Sequence, residues 1–150
     1  MLTRRMLMAL LAWLVVAPAA ALPLAEQEVR DLLLQSFDRP DQPLTVGPIT
    51  IEDGAAVAGW TQGNLGGRAL LRFEDGAWRL VACAGDALIE ASTLQGLGLS
   101  PSQAMALARR QREAEAGLLP ERLRALASFN GLQDMRGDHA PHSHPSNPMR

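Results

Sequence analysis

The chain has 150 residues and a formal charge of −2 at neutral pH, from 14 basic and 16 acidic side chains. That balance gives no electrostatic footprint for a nucleic-acid backbone, and the length supports one domain with a respectable core but hardly two. A single cysteine, Cys83, rules out an intramolecular disulfide, so stability must come from packing.

The first residues read as a secretory signal over 1–21. Arg4 and Arg5 supply positive charge, Met6–Val16 is apolar, and Ala19-Ala20-Ala21 offers a small-residue cleavage site before Leu22. The apolar run is short for a bilayer span and no later stretch replaces it, so a stable membrane anchor is not expected after cleavage. The segment holds two arginines and no acid, so its removal takes the net charge from −2 to −4. The expected destination is outside the cytoplasm.

Residues 22–131 are expected to form a single α+β domain. Val29, Leu32, Leu33 and Phe37 recur near helical spacing over 24–37, and Pro40 and Pro43 stop that helix. From Leu44 to Cys83 the pattern becomes that of strands. Asp53-Gly54 and Asp75-Gly76, each between apolar runs, are strong hairpin signals. The glycines at 63, 66 and 67 read as turn residues between strands. The result is a four-stranded antiparallel meander.

Alternation in the third strand sets Ala69, Leu71 and Phe73 against Arg68, Leu70 and Arg72. In the fourth it sets Trp78, Leu80 and Ala82 against Ala77, Arg79, Val81 and Cys83. One apolar and one mixed face predict helices on a single side of the sheet. Three C-terminal helices follow. Asp86 is a candidate cap for the first, which runs to about Gln95. Ser100-Pro101-Ser102-Gln103 opens the second with a capping-box pattern, and the third begins near Pro120 with Leu119, Leu123, Leu126 and Ala127 as its apolar stripe. Residues 132–150 show no periodicity and are expected to be a disordered tail.

All three histidines, His139, His142 and His144, lie in that tail at H-x-x-H-x-H spacing. Clustered imidazoles on a flexible Pro/Ser/Asn-rich backbone suit a divalent transition metal, with Cu(II) first in the affinity order at a nitrogen site. Met135 and Met149 are candidate thioether ligands for Cu(I). Cys83 reads either as a small buried hydrophobe or as a thiolate ligand for Cu(I). Trp60 and Trp78 read as core anchors, with ligand stacking as the alternative. No nucleophile–base pair is in view, since every histidine sits in the tail. An enzyme is therefore not expected, although Arg68, Asp86 and Glu90 are the residues that would line a pocket on the mixed face.

Several short segments, in order, resemble a family. They are Gly59-Trp60-Thr61-Gln62-Gly63, the run Gly66-Gly67-Arg68-Ala69-Leu70-Leu71, Trp78, and Cys83-Ala84-Gly85-Asp86-Ala87-Leu88. Over about residues 26–130 the chain is similar to small bacterial copper uptake system-associated proteins, as are its export signal and His-bearing tail. The resemblance implies a periplasmic accessory protein beside a periplasmic copper chaperone or a copper transporter, with His139, His142 and His144 as tail ligands. It also implies a C-x-G-D motif formed by Cys83 and Asp86. Family tails often carry denser histidine runs than this one. The alternative expectation is a non-metal periplasmic small-molecule-binding or scaffold domain with an incidental tail, whose ligand would lie on the mixed face near Trp60, Arg68 and Arg79.

Overall fold

The computed structural model describes residues 21–137. Helix α1, Ala21–Phe37, leads into strands β1 (Leu44–Glu52), β2 (Ala55–Gln62), β3 (Leu65–Glu74) and β4 (Ala77–Ala84). A 3₁₀ turn at Asp86–Ile89 precedes α2 (Ala91–Gly96), α3 (Pro101–Glu115) and α4 (Pro120–Ala127), and a short strand β5 (Leu132–Asp134) follows. All five strands form one antiparallel sheet in the order β1-β2-β3-β4-β5.

The two Asp-Gly hairpins form as expected. Asp53 and Gly54 have φ of 44° and 74°, and Asp75 and Gly76 have 52° and 77°, the pair of left-handed residues that a twisted two-residue hairpin requires. Gly63 alone occupies the β2–β3 turn, with φ of 59°. Gly66 and Gly67 are not turn residues but lie inside β3, because other backbone passes close over them. A Cβ at Gly66 would stand 2.5 Å from the Ala125 carbonyl oxygen.

Helices cover both faces of the sheet, not one. On one face Val29 and Leu33 of α1 pack with Val46, Ile49, Ala56, Ala58, Ala69 and Leu71. On the other, Leu94 of α2 and Leu107 of α3 pack with Val57, Leu70, Ala82 and Ala84. The mixed face is buried because Arg68, its interior charge, finds a partner in α3. Strict alternation in β4 also fails. Leu70 pairs with Ala82 but Leu71 with Leu80, so Val81 is the extra residue of a β-bulge. The bulge turns Cys83 onto the α1 face beside Leu80 and Trp78, and sends Ala82 to the other.

The meander thus has a fifth strand, and the tail boundary at 132 moves. Leu132–Asp134 pairs with Ala84–Ala82, and the Met135 N–H donates to the Val81 carbonyl at 2.8 Å. The exposed edge of β4 offers unpaired backbone groups, which three residues without any alternation can satisfy. Among the α4 stripe residues only Leu126 is fully buried, while Leu119 and Ala127 are exposed. No helix among the described residues is long and apolar enough to cross a membrane. The expected signal, apart from Ala21, and residues 138–150 lie outside the described residues.

Candidate functional site

His139, His142 and His144, and with them Asp138 and Met149, fall outside the described residues. Cys83 and Met135 do not. Both border a cavity of about 190 Å³ between α1 and the sheet. Its floor is Leu33, Leu44, Ala69 and Cys83, all buried. Trp60 and Phe129 form an aromatic wall, edge to face with ring centroids 5.9 Å apart. Phe37, Gln62 and Gln133 stand at the more exposed rim.

Local rules place these groups. The β4 bulge aims Cys83 inward. Phe129 is carried under the sheet by the segment after α4, which crosses β3 where glycines leave room. A Cβ on Gly67 would lie 3.0 Å from both Phe129 Cβ and Trp60 Cζ2. Burial pushes the Cys83 thiol up to about 11, so it is a neutral thiol at ordinary pH and behaves as a small apolar group with a weak donor. Gln62 Nε2 donates to the carbonyls of Phe37 and Gln42, both at 2.8 Å. Those two acceptors fix which end of the amide is nitrogen and leave its Oε1 as an acceptor.

The polar centre of the domain is on the opposite face. Arg68, 2 % exposed, donates from Nε to Glu115 Oε1 at 2.7 Å and from Nη2 to Glu115 Oε2 at 2.6 Å. Its Nη1 reaches Asp86 Oδ1 at 3.0 Å. Gln111 Nε2 donates to Glu115 Oε1 at 2.8 Å, and Thr50 Oγ1 donates to Gln111 Oε1 at 2.7 Å. Burial pulls the Arg68 pKa down, but the hydrogen bonds and charges of Glu115 and then Asp86 outweigh it and hold the guanidinium above its ordinary value. Among the described residues no buried side-chain polar atom lacks a partner. A chain of this kind fastens β1, β3, α3 and the 3₁₀ turn to one another, with Asp86 as its exposed end.

Several sequence expectations are redistributed by this arrangement. Asp86 does not cap a helix with its side chain; it begins the 3₁₀ turn and turns back to Arg68. Cys83 and Asp86 therefore point to different faces and do not converge. Glu90 is exposed and paired with Arg112 at 2.7 Å, away from Arg68. Trp60 borders the cavity under α1, Arg68 is sealed on the other face, and Arg79 lies by an open groove with Trp78 and Met135. The ligand position expected from those three does not form. Among the described residues no three His, Cys, Asp or Glu side chains come together to hold a metal.

Glu115 and Gln111 were not foreseen as buried. Their signal was present, because they continue the stripe Ala104, Leu107, Ala108 at helical spacing.

No protein-family model, no curated protein and no solved structure matches the chain.

Proposed function

We propose that this is an exported, non-enzymatic copper-binding accessory protein of the copper uptake system-associated kind. In this reading His139, His142 and His144 capture the ion, and the folded domain holds the tail near a periplasmic copper chaperone or a copper transporter. The observation that carries the reading is the placement of every histidine of the chain within six positions, His139 to His144. Neutral imidazoles at that spacing on a Pro-interrupted chain can close around one ion. A tethered ligand set raises the local concentration of ion at a partner without a rigid pocket. The buried, neutral thiol of Cys83 makes it a poor competitor for the metal, which agrees with capture by the tail.

The deciding experiment titrates residues 22–150 with Cu(II) and with reduced Cu(I) against a calibrated competitor, beside a chain ending at Gly137. Loss of binding with the tail is expected. Affinity no greater than that of free histidine in the longer chain would overturn the reading, and undiminished binding by the shorter chain would relocate the site to the folded domain.

One observation favours a second reading, a small-molecule-binding or scaffold domain with an incidental tail. It is the apolar cavity beneath α1. A function residing there would survive removal of the tail.

A further inference from the structure

We infer that the cavity beneath α1 is a binding site for a neutral one-ring aromatic molecule that carries a hydroxyl or N–H donor. The size argues first. An engineered protein cavity of about 150 Å³ lined by aliphatic and aromatic side chains stays dry and takes up benzene. At about 190 Å³ this one has room for the same ring with one or two small substituents, and too little for a fused polycycle or a long chain.

The lining argues next. Its ten residues include no Asp, Glu, Lys, Arg or His, so a charged ligand would lose its hydration with no opposite charge to replace it. Trp60 and Phe129 already meet edge to face, and a third ring in contact with them extends a favoured packing. The Met135 thioether on the same wall is a further soft contact for an aromatic edge.

The rim supplies orientation. Both Gln62 N–H groups are taken by the Phe37 and Gln42 carbonyls, so the side chain can only accept from a ligand. A hydroxyl or N–H on the ring meets that acceptor. The site stands apart from the copper reading, because it uses neither the tail nor an ion.

The test uses residues 22–150 with chelator present and two probes of nearly equal shape, p-cresol and p-xylene, which differ by a hydroxyl in place of a methyl. Trp60 reports locally when Trp78 is replaced by Phe. Both probes are expected to give a saturable change in Trp60 emission and a rise in Tm. p-Cresol should bind about three- to tenfold tighter, the worth of one neutral hydrogen bond. Ala69→Leu grows into the cavity floor and should abolish both signals, and Ala69→Val is the milder replacement should the first fail to fold. Absence of binding by both probes overturns the site. So does binding that persists in the folded Ala69 variants, and equal affinity for the two probes overturns the donor requirement.

Discussion

Arg68 and Glu115 meet in a two-pronged ion pair, at 2.7 and 2.6 Å, although 47 residues separate them and both are almost wholly buried. Each charge is tolerated in the interior because it is matched, Glu115 by Arg68, and Arg68 by Glu115 together with Asp86. Removing Arg68 leaves Glu115 a buried unmatched charge, at a cost of roughly 3–5 kcal/mol, and removing Glu115 leaves Arg68 only the exposed Asp86, whereas replacing both with apolar groups of similar volume removes the desolvation cost as well. Urea unfolding should therefore show Arg68→Met and Glu115→Leu each strongly destabilising. The double variant should be more stable than either single one. Additive losses would mean that the pair is not coupled as its geometry requires.

Cys83 gives the domain an alkaline weakness. Burial raises its pKa from about 9 to about 11, so the folded state keeps a proton that the unfolded chain releases between those values. Its contribution is intact below pH 9 and is lost as pH climbs through 11, with a limiting slope of about 1.4 kcal/mol per pH unit. The stability of the wild type should fall more steeply than that of Cys83→Ala between pH 9 and 10.5. Native protein at pH 8 should also resist a thiol reagent that labels it at once in urea. Ready labelling of the folded protein would show the thiol to be open.

Much of the architecture was legible because it is local. The Asp53-Gly54 and Asp75-Gly76 pairs can hardly be anything but hairpins, and the Ser100 hydroxyl does accept from the Gln103 N–H at 3.2 Å. Gln103 itself is only half of a capping box, since its amide goes to the Glu52 and Asp53 carbonyls across the interface. What stayed hidden was set by distant partners. A bulge at Val81 changes the face of Cys83 without altering a residue. The edge of β4 recruits Leu132–Asp134, whose side chains are all exposed and carry no pattern. The apolar cavity needs α1, β4 and the Phe129 segment together, so no single stretch announces it.

Close packing over β3 makes the glycines unequal. A methyl group on Gly66 would press on the Ala125 carbonyl at 2.5 Å and its carbon at 2.8 Å, both backbone atoms that cannot swing aside. Gly66→Ala should push α4 outward and cost roughly 1–3 kcal/mol, as overpacking does. Gly96, in α2, has open space where its Cβ would stand and no positive φ. Gly96→Ala should be neutral or stabilising by about 0.5 kcal/mol. Thermal unfolding of the two variants compares the signs directly. Equal effects would mean that α4 does not rest on β3 as closely as described.

The fifth strand separates the end of the folded domain from the start of the tail. Ending the chain at Gly137 keeps β5, the Met135 contact with Val81 and the Asp134–Arg136 pair, whose hydrogen bonds hold the exposed Asp134 carboxyl down to about 2. Ending it at Gly131 strips the β4 edge over Ala82–Ala84 and opens one wall of the cavity. The first truncation should leave Tm unchanged, whereas the second should lower it by several degrees, the loss of a few backbone hydrogen bonds and one partly buried thioether. The shorter chain should also aggregate more readily through the bared edge.

The proposed capture of copper by the tail carries a pH signature that would count its ligands. An imidazole with an ordinary pKa near 6.5 must lose its proton to bind, so each histidine ligand weakens the apparent affinity about tenfold between pH 7.5 and 5.5. Two ligands therefore predict about a hundredfold loss and three about a thousandfold. Replacing His139, His142 or His144 singly by Ala should reduce the slope by one ligand, while Cys83→Ser should leave both affinity and slope unchanged. Competition titrations of Cu(II) across that range read all of these at once. An affinity that ignores pH, or one that collapses in Cys83→Ser, would place the metal on the folded domain and return the tail to the role of a solvated end.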